Sequence, residues 1–135
     1  MFTKILEIEE WVNRMDVGPT ITNPTWSQVN KAITDLDGKT RTIVMLYERP
    51  ESDAYMIVAG SWEDLYMVNA TKNNEEFWSI VDPKGSTNRR MVFVGGQDGD
   101  YEERMFIPLP VVLEAAQTFY ETGEFKSSLN WESDY

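Results

Sequence analysis

The sequence predicts an α+β fold, a single domain over residues 1–135 in which an antiparallel β-sheet of about five to seven strands carries two main helices packed on one face. Three observations predict it. The chain has 135 residues, enough for one hydrophobic core and too few for two. Its hydrophobic pattern changes from helical spacing to short β-branched and aromatic runs at Thr40, and back again at Pro110. The runs between those points are joined by short polar connections, whereas a parallel crossover needs about a dozen residues or more, so neighbouring strands should pair antiparallel.

The elements follow in order. In Thr3–Met15 two periods compete: Ile5, Ile8, Val12 and Met15 make a helical stripe, while Leu6 and Ile8 alternate with Glu7 and Glu9. We read this segment as strand. Thr25 and Gln28 have the spacing of a capping box, and Trp26, Val29, Ile33 and Leu36 then share one face, so a helix runs over Thr25–Leu36 and stops at Asp37-Gly38. Thr42, Val44 and Leu46 alternate with their neighbours, and Pro50–Asp53 turns the chain into a second strand at Ala54–Gly60. Further strands are expected at Leu65–Thr71, Glu76–Val81, Arg90–Val94 and Tyr101–Ile107, with connections around Asn73-Asn74, Pro83–Asn88 and Gly95–Asp100. Pro110 suits the first turn of a second helix, which carries Val112, Ala116 and Phe119 on its apolar stripe and ends at Thr122 before a Gly123 cap.

Composition then narrows the chemistry. There is no His and no Cys, which removes Ser/His/Asp and Cys/His nucleophiles, His/Cys zinc sites and disulfides together. Acidic residues number 23 against 12 basic ones, for a net charge of −11. Such a surface repels phosphate backbones, so nucleic acid is a poor partner, and it attracts basic proteins. The excess is steepest from residue 98 onward, with nine acids against two bases. The longest apolar run, Ala54–Ala59, has six residues against the roughly 20 of a membrane span. No membrane association is expected, and the expected location is cytoplasmic.

The candidate motifs also have structural explanations. Gly95-Gly96-Gln97-Asp98-Gly99 has the glycine content of a phosphate loop, but the next segment is strand-like and Asp98, Asp100, Glu102 and Glu103 would repel phosphate. It reads as a structural turn. Adjacent acids such as Glu63-Asp64 and Glu102-Glu103 point to opposite faces when on a strand and cannot converge on one bond. No calcium-loop spacing occurs, and neither a metal nor a cofactor is expected. Trp62, Tyr66, Trp78 and Tyr101 stand near strand ends beside acids, an arrangement suited to aromatic anchors with a charged rim, although alternation should bury about half of them.

A resemblance emerges from ordered fragments. Asn23-Pro24-Thr25-Trp26 leading into Val29, Ile33 and Leu36-Asp37-Gly38 is similar to the opening of immunity protein family one, the first-numbered immunity family of bacterial polymorphic toxin systems. Val94-Gly95-Gly96-Gln97 resembles that family's Gly-Gly strand end, and Pro108-Leu109, Ala115-Ala116, Phe119, Thr122-Gly123 and Leu129-Asn130-Trp131-Glu132 resemble its closing helix and terminal Trp. The resemblance implies a non-enzymatic inhibitor that binds a cognate toxin domain, often a nucleic-acid deaminase, and protects the producing cell. In that setting Trp26, Gly95, Gly96, Gly123 and Trp131 read as fold determinants. The expected contacts with a basic toxin cleft are Trp62, Glu63, Asp64, Asp98, Asp100, Glu102 and Glu103. Two other readings stay open at this point: a small carboxylate-dependent hydrolase, and an acidic adaptor for an unrelated basic protein.

Overall fold

A computed structural model describes residues 1–134 of the chain. Its strands are β1 (Ile5–Ile8), β2 (Trp11–Val12), β3 (Met15–Asp16), β4 (Thr20–Thr22), β5 (Ile43–Tyr47), β6 (Tyr55–Trp62), β7 (Leu65–Thr71), β8 (Phe77–Ile80), β9 (Arg89–Val94), β10 (Gln97–Glu102), β11 (Ile107–Pro108) and β12 (Trp131–Ser133). The helices are α1 (Trp26–Thr34) and α2 (Leu109–Thr122). The main sheet runs β12-β8-β7-β6-β5-β1-β4, with β11 added on β7, and its pairings are antiparallel. The α+β class and the antiparallel sheet therefore stand. The count does not: the main sheet has eight strands rather than five to seven. The extra members, β4, β11 and β12, span two or three residues each, too short to show an alternating period.

The helices form where their caps predict. Thr25 Oγ1 accepts from the Gln28 amide at 3.1 Å while Gln28 Oε1 accepts from the Thr25 amide at 2.9 Å, closing the capping box. Helix α1 buries Val29, Ala32 and Ile33. Helix α2 begins beside Pro110 and ends at Gly123, whose φ of +74° is the left-handed conformation that glycine adopts without strain. Both helices cover one face of the sheet, and α2 contributes Val112, Ala116 and Phe119 to a core with Leu6, Val44, Leu46, Met56, Val58 and Val68. In the N-terminal segment the alternating period wins, because Leu6 pairs beside Leu46 and points into this core.

The opposite face has its own, smaller core. Ala59, Trp62, Met67, Val92 and Phe106 pack together there, under the hairpin formed by β9 and β10. That hairpin differs from the sequence reading. The chain turns within Gly95-Gly96 alone, at φ of +62° and +83°, and Gln97–Glu102 pairs residue by residue with Arg89–Val94. The expected Gly95–Asp100 connection is thus mostly strand. Gln97-Asp98-Gly99-Asp100 has poor β propensity, and its pairing with the apolar β9 overrides that preference. The expected strand Tyr101–Ile107 is broken by a short 3-10 turn at Glu103–Met105.

Candidate functional site

Strand alternation sorts the acids of the β9–β10 hairpin. Tyr101, Val92 and Val94 face inward onto the second core, so Asp98 and Asp100, which pair opposite Phe93 and Met91, share the outer face with them. Met91 is 65% exposed, and Asp98 and Asp100 are exposed beside it. Asp100 lies 3.3 Å from Arg89 Nε, and Glu102 lies 3.4 Å from Arg104 Nη2. Asp98 and Glu103 have no cationic partner among the described residues, which leaves them the freest charges of the group. The four acids thus divide between an outer strand face and the start of the 3-10 turn.

The second expected group sits at the β6–β7 turn. Glu63 and Asp64 occupy it with φ of +54° and +62°, and both are exposed. Arg90 on β9 reaches Glu63 at 3.2 Å, so this turn adjoins the acidic hairpin. Trp62 does not belong with them at the surface. The residue is 9% exposed, its ring packs edge-on against Phe106 at 5.7 Å, and its indole N–H donates to the Phe93 carbonyl at 3.3 Å. Trp62 is therefore a core side chain that holds the hairpin to the sheet, and the expectation of a free aromatic anchor is corrected. Tyr66 is likewise buried, while Trp78 and Tyr101 stay half-buried.

A polar junction that sequence reasoning missed ties three segments together. Glu9 Oε1 accepts from the Trp11 indole N–H and from Thr42 Oγ1, the latter at 2.8 Å. Thr42 Oγ1, fully buried, also accepts from the Gly95 amide at 3.1 Å. The Trp11 ring lies over Gly96, so close that a Cβ there would sit 2.8 Å from it. The β2–β3 hairpin is thereby fixed to the tip of the acidic hairpin. The available signal was the Val12-Asn13-Arg14-Met15 run, a two-residue loop with Asn first between apolar residues.

At the far edge, Arg104 makes a paired contact with Glu132, at 2.6 and 2.7 Å. The guanidinium holds the Glu132 carboxyl below the usual carboxylate range, and the carboxylates of Glu132 and Glu102 raise Arg104. Beside them a groove of about 280 Å³ opens between the hairpin and the sheet, lined by Ile57, Asn69, Ser79, Tyr101 and Asp134 among others. Ser79 donates to Asp134 at 3.0 Å, and Asn69 donates to both. These bonds link β7 and β8 to the C-terminal segment. Among the described residues no group of three or more carboxylates is placed to hold a metal ion.

The expected fold determinants have packing partners. Trp26 leans on Tyr120 at 5.9 Å, and the Tyr120 hydroxyl donates to the Pro24 carbonyl at 2.6 Å. Trp131 stacks on Phe125 at 4.7 Å and donates to the Lys126 carbonyl. A Cβ at Gly123 would meet the Phe2 ring at 2.8 Å.

What this arrangement describes is an acidic α+β domain that presents carboxylates and exposed apolar side chains around one face of its sheet. Residues 18–133 match the family described as Immunity protein Imm1, and the chain belongs to that family. Membership carries a toxin-immunity role and a cognate toxin protein as partner. No curated protein and no solved structure matches the chain. Among the described residues no helix is long and apolar enough to cross a membrane.

Proposed function

We propose that this chain is a stoichiometric, non-enzymatic inhibitor that acts in the cytoplasm on a nucleic-acid-targeting toxin of the deaminase type, by occupying its basic active-site cleft. The observation that carries the reading is the outer face of the β9–β10 hairpin, where Asp98 and Asp100 flank Met91 and Phe93 in a chain of net charge −11. An enzyme that acts on nucleic acid needs cationic side chains along its substrate path, because phosphate neutralisation supplies much of the affinity. A strip of carboxylates at strand spacing offers those cations a substitute for phosphates, and apolar side chains between them add burial. Glu103, Glu63 and Asp64 extend the same acidic rim. Asp100, Glu63 and Glu102 are paired with Arg89, Arg90 and Arg104 and contribute less than Asp98, Glu103 and Asp64.

The test uses the toxin domain encoded in the neighbouring reading frame. Co-expression should rescue growth, and the purified proteins should inhibit at one to one. Reversing charge in Asp98→Lys, Asp100→Lys and Glu103→Lys together should slow association and flatten its salt dependence, while melting of the free protein stays unchanged. Inhibition at far less than one equivalent would instead indicate catalysis and overturn the reading. An unaltered association rate in the triple variant would remove the acidic hairpin from the interface.

A further inference from the structure

Exposed apolar side chains are concentrated on one short element. Among the described residues five large hydrophobic side chains are exposed, and three of them, Val12 (49%), Met15 (65%) and Val17 (55%), belong to the β2–β3 hairpin and the residue that follows it. Apolar groups in a mobile loop would lose much of their burial energy to ordering on contact. This hairpin is already ordered. Asn13 and Arg14 take the left-handed conformations of a two-residue turn, at φ of +50° and +67°. Asp16 Oδ1 accepts from the amides of Glu10 and Gly18 at 3.0 and 2.9 Å, and the Val17 amide donates to the Glu10 carbonyl at 2.8 Å. The Trp11 amide donates to Thr40 and its ring rests on Gly96.

Charge defines what can cover it. Val12 pairs with Met15 and Trp11 with Asp16, so the apolar side chains lie on the face away from the groove of about 190 Å³ that Glu7, Glu9 and Asp16 line with Ile43 and Met45, and the charge at the tip is the exposed Arg14. Family membership supplies the occupant, a cognate toxin protein, and the surface complementary to this face is an apolar pocket with an acidic group at its edge for Arg14. Through Trp11 the hairpin also abuts the turn of the acidic β9–β10 hairpin, so one partner can contact both. The Imm1 match begins at residue 18, so Val12, Met15 and Val17 lie outside the segment matched to the family.

We propose that the β2–β3 hairpin is a specificity finger, with Val12, Met15 and Val17 entering an apolar pocket of the cognate toxin and Arg14 meeting an acidic group at its rim. The proposal rests on the immunity reading above. Side chains buried only in the complex act on dissociation, whereas rim charges act on association. The finger and the acidic hairpin therefore have separable kinetic signatures.

The experiment is Val12→Ser, Met15→Ser and Val17→Ser together in the full chain, measured against the catalytically inactivated toxin domain from the neighbouring reading frame. The free variant should melt as the wild type does, its dissociation rate should rise about 30-fold or more, and its association rate should change little. A photo-crosslinking residue at Met15 should capture the toxin, and one at Gln117, exposed on α2, should not; this arm stands if the triple variant folds poorly. Unchanged dissociation, or capture from Gln117 and not from Met15, overturns the finger and leaves the immunity reading intact. Failure of the wild type to bind that toxin overturns the reading itself. A wild-type dimer in sedimentation that becomes monomeric in the triple variant would assign the hairpin to self-association and also overturn the finger.

Discussion

The two faces of the sheet are finished differently. On the helix side, Leu6, Val44, Leu46, Met56 and Val58 are fully buried beneath α1 and α2. On the other side, the β9–β10 hairpin covers Ala59 and Met67, while Met45, Tyr55 and Ile57, which alternate with those core residues, remain half-exposed. The helix side has spent its apolar surface on folding. The hairpin side keeps apolar side chains near solvent and borders them with carboxylates, the layout of an interface with an apolar centre and a polar rim. On the proposed reading, stability and recognition fall to opposite faces of one sheet.

Two core truncations test that division, and the larger effect belongs to the helix side. Phe119 is fully buried, edge-on to Phe2 at 5.4 Å, and Phe119→Ala should cost about 3–5 kcal/mol in denaturant unfolding. Trp62→Ala should cost about 3 kcal/mol, with a more local consequence. Trp62 holds the hairpin through Phe106 and the Phe93 carbonyl, so its loss should speed amide exchange in β9 and β10 ahead of β5 and β6. Equal acceleration throughout the sheet would show that the two cores unfold as one and would erase the distinction.

The same division explains which features could be read from sequence. The helices, and strands such as β7, carry a full period and clear caps, so Thr25, Gly123 and Leu65–Thr71 could be placed from residue order. Trp62 could not. Two-fold alternation along β6 is interrupted by an irregularity between Gly60 and Trp62, which carries the ring to the face opposite Met56 and Val58. The acids at Asp98 and Asp100 were found, but as loop residues, because nothing local announces that β9 will recruit them into a strand. The Glu9–Thr42–Gly95 junction joins groups 33 and 53 residues apart, a separation invisible to any local pattern.

The glycine turn at the tip of the hairpin sharpens the comparison at a smaller scale. Gly95 and Gly96 both have positive φ, so alanine at either should cost about 1–2 kcal/mol from the backbone alone. Their surroundings differ. A Cβ at Gly95 would meet only the end of Ile43 at 3.5 Å, whereas one at Gly96 would press into the Trp11 ring at 2.8 Å. Gly96→Ala should therefore be the more destabilising in urea unfolding, and it alone should loosen the β2–β3 hairpin, seen as faster exchange of the Trp11 and Val17 amides. Identical behaviour of the two variants would mean that the Trp11 contact does not secure the finger.

The smallest expected effect concerns the loop that passes from the helix side to the hairpin side. After α1, Asp37 Oδ1 accepts from the amides of Lys39, Thr40 and Arg41 at 2.8 to 3.0 Å, and the next residue, Gly38, donates to the Gly60 carbonyl near the end of β6 that carries Trp62. Slight burial pushes the Asp37 carboxyl upward, but these amides and the Thr40 hydroxyl outweigh it, leaving the group below its ordinary value of 3.8. A depressed folded value means the carboxylate stabilises the fold above the unfolded value and loses that contribution as pH falls through the folded one. Asp37→Asn should cost about 1 kcal/mol near neutral pH, modest because the side chain is exposed. The gap between variant and wild type should then narrow below about pH 4 and close once the carboxyl is protonated. Urea unfolding of both proteins from pH 7 to pH 2.5 isolates this, since the other carboxylates titrate in both. A gap that stays constant with pH would assign the loss to amide geometry rather than charge, and the joint between the two faces would then owe nothing to the carboxylate.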